Sequence, residues 1–370
     1  MAAQSAPQRY LAVDVLRGAT VVLMITVNMA ISPEQSYAPL LHSVWHGFTL
    51  ADAVFPTFLF VVGNAMALAF DRPAGQQPGW GKIVRRSVLL IAVGLFISNF
   101  PFGRFGETGA WGWTDANAIR FPGVLQRIGL AYLLSAVVIR LGGIRGVWAY
   151  VVLAVAVNQW LLLSFGDLTL EGSAALKLDL AVFGPNHLYQ GEGQPYDPEG
   201  LLGTIPAAAN MLAGYLAMRA VRAAPPLAAA GRLALAGLIL VVLGLAWHHG
   251  IPLNKKLWTS SFVLFTVGLD LVLLALCVWL FDVRRIAAGS EFLGVFGRNP
   301  LALYVISEVL MALAWTFRIG GKPVFLALYD GVFQGQTTGK AGSLAFGIAL
   351  VLLVWAIGRA MDRRGIHVRL

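Results

Sequence analysis

NMAISPEQSYAPLLHSVWHGFTLADAVFPTFLFVVG, residues 28–63, joins the end of one apolar run to the start of the next through a polar connection. Two histidines, His42 and His46, bracket Trp45 in that connection, and a carboxylate, Asp52, opens the second run. Histidine titrates nearest neutral pH, so this pair at the edge of apolar segments suggests proton transfer. A blander reading is interfacial, because Trp gathers at membrane boundaries and HxxxH in a connection usually binds nothing. On either reading the stretch is the polar turn between two helices that are otherwise apolar.

The same alternation runs through the whole chain. Hydrophobic residues make up 58% of the 370 residues, charged residues 12%, and the mean hydropathy is +0.73, which excludes an ordinary soluble domain. A spanning helix needs about 20 apolar residues. Runs of that kind fall at 11–31, 51–70, 83–100, 122–141, 147–165, 203–221, 233–247, 257–281, 300–317 and 344–361. The expected fold is therefore all-α, a polytopic membrane helical bundle of about ten transmembrane helices. Residues 1–370 read as one transmembrane domain, since the apolar runs leave no room for a second. Asp14 and Arg17 within the first run, and the lack of a small-residue cleavage site, predict a retained helix. The single cysteine, Cys277, lies in an apolar run and offers neither a disulfide partner nor a metal cluster.

A formal charge of +9 could indicate nucleic acid, but the Lys and Arg residues sit in short connections instead of along one face. One set of connections holds Arg72, Lys82, Arg85, Arg86, Arg140, Arg145, Arg219, Arg222, Arg232, Arg284, Arg285, Arg359, Arg363, Arg364 and Arg369. The positive-inside rule places that set, with both termini, in the cytoplasm. The connections bearing His42, 102–118, 166–202, 254–256 and 322–340 then face outward. Lys255 and Lys256 break the pattern and call for an acidic partner or ligand. The long loop at 166–202 carries Asp167, Glu171, Asp179, Glu192, Asp197 and Glu199, and reads either as a lid that attracts a cationic amine or as a solvated loop. No internal repeat or matching pair of broken helices of the transporter type is visible.

Ionisable residues inside spans cost about 2.5 to 3.5 kcal/mol each and need a partner or a task. Asp14 and Arg17 share a helix face and can pair. Arg127 lies behind Pro122 and can reach Asp52 from the same side. Asp270 and Glu308 fall near mid-membrane, which implies a polar interior. In GRNP, 297–300, Asn299 and Pro300 suit a helix start, while Arg298 beside free N–H groups suits a phosphate.

Six stretches resemble, in order, the heparan-alpha-glucosaminide N-acetyltransferase family of integral-membrane acyltransferases. They are VDVLRGATVVLMITVN (13–28), HSVWHGFTLADAVFP (42–56), FPGVLQRIGLAY (121–132), HLYQ with YDPEGLLGTIP (187–206), IPLNKKLWTSSFV (251–263) and, more weakly, GRNPLALYVISEV (297–309). The resemblance implies a ten- or eleven-helix enzyme that uses acetyl-CoA to acetylate an amino sugar. It places the family's catalytic His on His42, its neighbouring Asn on Asn28 and the motif Asp on Asp52, and matches Arg127, Asn254 and Lys255; with the charges read above, donor binding is expected of Arg17, Gln126, Arg127, Arg298 and Asn299. Acceptor binding falls on Asn254, Lys255, Trp258, Asp197 and Glu199. His46 stands where the family commonly has Asn, so no catalytic role passes to it. The large N-terminal luminal region and the loop cysteines of the animal lysosomal enzyme are expected to be absent. The expectation is thus a bacterial-type homologue in the plasma (inner) membrane, with the bilayer, acetyl-CoA and the amino sugar as partners, a homodimer as a further one, and no metal.

N-acetyl transfer needs a deprotonated amine, a thioester within reach and donors for the oxyanion. His42 is the expected base, Asp52 fixes its tautomer, and Asn28 orients the substrate or donates to the oxyanion. Direct transfer is preferred over an acetyl-histidine intermediate. The alternative function is a transporter of amino sugars or other small solutes, with the same buried charges forming its path.

Overall fold

In hydrocarbon a backbone must satisfy its own hydrogen bonds, so an uninterrupted apolar run is driven to helix. Each of the ten runs contains a helix in the computed structural model, which describes residues 10–30, 32–73, 75–105, 110–334 and 339–368. Arg369 and the polar residues 1–9 lie outside the described residues. The helices are α1 Leu11–Asn28, α2 Leu50–Phe70, α3 Trp80–Asn99, α4 Val124–Val137, α5 Gly143–Phe165, α6 Ala174–Phe183, α7 Thr204–Arg222, α8 Pro226–His248, α9 Ser260–Cys277, α10 Ser290–Arg298, α11 Pro300–Thr316, α12 Val324–Leu328 and α13 Lys340–Arg363. Two short antiparallel hairpins, Gly103–Phe105 with Trp111–Trp113 and Arg318–Ile319 with Lys322–Pro323, follow α3 and α11.

Among the described residues, six helices are long and apolar enough to cross a membrane, or seven if the bent pair α10–α11 is one span. That count takes Val124–Phe165 as one helix of 42 residues. At about 1.5 Å per residue it is roughly 63 Å long, twice the ~30 Å of a bilayer core. It contains two of the ten apolar runs, α4 and α5, with Gly143 at φ +55° between them. The α10–α11 pair turns through 83° at Asn299.

Burial separates centre from periphery. In α2, 78% of the apolar window is buried, against 28% in α8. Apolar side chains such as Val152, Trp160, Leu235, Val242, Leu352 and Leu353 on α5, α8 and α13 are exposed, as lipid-facing positions are. The chain is an integral membrane protein.

Two glycine pairs set the closest helix contacts. A Cβ on Gly63 would lie 1.7 Å from the Met211 carbonyl oxygen, and one on Gly214 would lie 1.9 Å from that of Phe60, so α2 and α7 touch backbone to backbone. Gly18 against Leu293, and Gly297 against Asp14, join α1 to α10 in the same way, at 2.0 and 2.2 Å. The segment 166–202 is folded on the bundle: Trp45 donates to the Leu168 carbonyl at 2.7 Å, and Tyr196 to that of Lys256 at 3.1 Å.

Candidate active site

A polar cavity of about 690 Å³ lies at the C-terminal end of α1. Thr49 and Asp52 form a capping box at the start of α2, which fixes the Asp52 carboxylate at the helix mouth. One carboxylate oxygen accepts the N–H groups of Ser43 and Thr49, at 3.1 and 3.0 Å. The other lies 2.8 Å from His42 Nδ1. With Nδ1–H donating to the carboxylate, His42 Nε2 is left as the basic nitrogen. Asp52 is buried while the His42 ring is 44% exposed, into the cavity.

Asn28 ends α1 in the same cavity, and its Nδ2 donates to Glu308 of α11 at 2.7 Å. Lys255 lies 3.3 and 3.4 Å from the two ring nitrogens of His42, and burial lowers its pKa from the usual lysine range. Lys256 pairs with Glu192 at 2.5 Å and donates to the Val44 carbonyl at 2.8 Å. The odd outer lysines thus have an acidic partner and an imidazole beside them.

Arg120 closes another side. Its guanidinium holds both oxygens of Asp197 at 2.8 Å and Glu199 at 2.8 Å. Burial works to lower its pKa, but the two carboxylates outweigh that and raise it. Asp167 and Glu171 are exposed, while three of the six acids of 166–202, Glu192, Asp197 and Glu199, are thus paired with a basic side chain. Asp179, also buried, accepts from the Leu201 N–H at 2.9 Å, and burial pushes its pKa up to about 6.

A second cavity, of about 670 Å³, lies at the N-terminal end of α1. Arg17, Arg86 and Arg298 line it, with Asp14 and His367. Arg17 contacts Asp14 at 3.5 Å and the Gly297 carbonyl at 3.3 Å. Arg298 is bound through Nε to Asp362 at 2.8 Å. Helices α1, α2, α3 and α11 contribute to both cavities, at opposite ends. On α11 the cavities are reached from Leu301 and from Glu308, and on α3 from Leu90 and from Ile97. Seven residues of helix put roughly 10 Å between them.

The motif residues therefore divide. His42, Asn28, Asp52, Lys255 and Glu199 meet in the first cavity, and Arg17 and Arg298 in the second. Six others stand behind the walls. Arg127 is fully buried, donates to the Gly200 carbonyl at 2.7 Å and stacks on Trp258 at 5.1 Å, while Asp52 is engaged by His42, Ser43 and Thr49. Gln126 bonds the Phe121 carbonyl at 3.0 Å, and Trp258 donates to Asn210 at 3.0 Å. Asn254 accepts from the Leu257 N–H at 2.8 Å and contacts His46 at 3.3 Å. Asn299 makes no side-chain cap on α11; it clasps the C-terminal segment through Ile366 and Val368, at 3.0 and 2.9 Å. Asp197 is buried under Arg120. Arg86, Arg120 and Glu308 also line the cavities: in the sequence the first is a topology signal and the third part of a polar interior, and no sequence signal marks the second.

The membrane bundle thus holds an imidazole–carboxylate pair, a candidate for acid–base chemistry, in one cavity and three arginines, candidates for anion binding, in another. Residues 9–189 match the sequence model of the family described as heparan-alpha-glucosaminide N-acetyltransferase, catalytic. The mouse heparan-alpha-glucosaminide N-acetyltransferase is 30% identical over 367 residues, covering 83% of this chain and 54% of that protein. The human protein of the same name is 29% identical over 366 residues, covering 82% and 53%. These matches support membership of the chain in the heparan-alpha-glucosaminide N-acetyltransferase family, and the chain spans about half the length of these two relatives.

Proposed function

We propose that the protein is a transmembrane N-acetyltransferase that moves an acetyl group from cytoplasmic acetyl-CoA to the amine of a glucosaminide-like amino sugar on the outer side. The observation that carries this reading is the pair of cavities between the same four helices, one holding His42, Asp52 and Asn28, the other Arg17, Arg86 and Arg298. In this reading residues 1–370 are one acyltransferase domain of ten spans with both termini cytoplasmic, in a bacterial inner membrane, and 166–202 faces outward.

Arg17, Arg86 and Arg298 bind the phosphates of the donor from the cytoplasm. Arg17 and Asn28 are eleven residues apart on α1, roughly 16 Å along the axis, a distance that the pantetheine arm of CoA spans. His42 Nε2 takes a proton from the attacking amine, and Asp52 holds the imidazole in the productive tautomer. One amide hydrogen of Asn28 is committed to Glu308; the other is free to donate to the oxyanion. Lys255, beside His42, and Glu199 contact the acceptor.

The test uses sealed vesicles of known orientation, with acetyl-CoA on the cytoplasmic side and an impermeant glucosaminide on the other. N-acetylated product on the acceptor's side is expected. Product only when both substrates share one compartment would refute transfer across the membrane, and accumulation of unmodified sugar without acetyl-CoA would make the chain a transporter.

A further inference from the structure

Four carboxylates line the first cavity: Asp52, Glu192, Glu199 and Glu308. Three face a basic side chain, His42, Lys256 and Arg120 respectively. Glu308 faces only the neutral amide of Asn28 among the described residues. That bond occupies one oxygen, Oε1. A carboxylate in a cavity without a cation of its own is a place for a cation to arrive, since an isolated buried charge is costly until it is paired.

The chemistry supplies that cation. An amine of ordinary basicity, with a pKa of about 8, is mostly ammonium at neutral pH. Converting an ammonium to an amide nitrogen removes two protons, whereas the thiolate leaving group takes up one. A single base must therefore discharge one proton before it can act on the second.

We propose that Glu308 is a second catalytic residue, which binds the acceptor's ammonium and takes its first proton, while His42 handles the second. This role rests on the acetyl-transfer reading above. One N–H pair of the ammonium stays on nitrogen as a lone pair when its proton passes to Glu308 Oε2. That lone pair forms the C–N bond to the thioester carbonyl. His42 Nε2 then removes the proton from the nitrogen of the tetrahedral intermediate. It delivers that proton to sulfur as the C–S bond breaks with its electron pair. The products are the amide, the CoA thiol and one proton, which Glu308 returns to the water at the cavity mouth.

Every other titratable group facing Glu308 is otherwise engaged or unsuited. On its own helix, Tyr304 lies one turn away and is buried. From the segment before α2 comes the His42–Asp52 pair, and from the segment before α9 come Lys255, held against His42, and Lys256, held by Glu192. Arg120 and Glu199 bind each other, as do Lys256 and Glu192. Asn28 on α1 does not titrate.

The experiment compares two acceptors on the full-length protein in detergent or nanodiscs: a methyl glucosaminide, and its alkoxyamine analogue, whose nitrogen is neutral at the assay pH. For Glu308→Gln, kcat/KM on the glucosaminide should fall about 100-fold or more at pH 6.5. The loss should shrink to under about 10-fold at pH 9, where free amine is supplied by solution. On the alkoxyamine the same preparation should stay within about 3-fold of wild type at both pH values, which also shows that it is folded. His42→Ala should lose both activities. A loss in Glu308→Gln that is equal for the two acceptors, or independent of pH, would make Glu308 a positioning residue for Asn28 and overturn the proposal. No loss at all would do so equally. If the wild-type protein acetylates neither acceptor, the acetyl-transfer reading itself falls and takes this role with it.

Discussion

Replacing Asp52 by Asn tests the imidazole–carboxylate pair with almost no change in shape. One oxygen of Asp52 is held by two backbone N–H groups, of Ser43 at 3.1 Å and Thr49 at 3.0 Å. Both donors are backbone groups, so the asparagine carbonyl must take that place. Its NH₂ group is then turned to His42 Nδ1, 2.8 Å away. An amide N–H can only donate, so Nδ1 becomes the acceptor and the imidazole proton moves to Nε2, the nitrogen that has to receive a proton from the amine. Catalysis by a positioned base is worth about 10² to 10⁴ in rate, and the same replacement in a Ser–His–Asp triad costs about 10⁴. We therefore expect kcat to fall by about 10³ to 10⁴. The KM for acetyl-CoA should stay within about 2-fold, because the arginine-lined cavity is roughly 10 Å away. Stability should drop by only about 1 to 2 kcal/mol, since both backbone hydrogen bonds survive and only their charge assistance is lost. Steady-state kinetics together with thermal unfolding in detergent separate these effects. A folded Asp52→Asn protein with kcat within about 5-fold of wild type would refute the tautomer argument and take the base away from His42.

Two further outcomes follow from the second cavity and from the helix contacts. Arg298→Ala should raise the KM for acetyl-CoA about 10-fold or more, the worth of a charge-assisted hydrogen bond, with a smaller effect on kcat; a pure loss of kcat would remove Arg298 from ground-state phosphate binding. Gly63→Ala puts a methyl group 1.7 Å from the Met211 carbonyl and forces α2 and α7 apart. It should cost about 1 to 3 kcal/mol, seen as a drop of several degrees in Tm, whereas Gly81→Ala, which meets nothing within 4 Å, should leave Tm unchanged or raise it. Equal Tm values for the two variants would mean that α2 and α7 are not in backbone contact.

The helices could be read from the sequence because hydrophobic length is a local property, and each of the ten apolar runs contains a helix. The short α10, Ser290–Arg298, escaped because nine residues carry too little signal, and its 83° bend into α11 is set by contacts with α1. The His42–Asp52 pair was also within reach, since ten residues and a capping box connect its members. Glu308 was seen as an intramembrane charge, but its partner Asn28 lies 280 positions away, and Arg120 meets Asp197 across 77. No spacing rule covers such distances. A motif, moreover, marks residues that need a particular neighbour, and both walls and sites have that need. Asn254 and Lys255 are adjacent in one string, yet the first is buried and holds the turn that leads into α9, while the second points into the cavity beside His42. Arg127 makes the same point from the other side. Its guanidinium fills the space beside Gly203, where a Cβ would lie 2.6 Å from Nη2, and it props the segment that carries Asp197 and Glu199. It supports the first cavity from behind. Which motif residues do chemistry and which hold the chemistry in place is therefore decided by the direction of each side chain relative to the two cavities, and that direction is a property of the packed bundle.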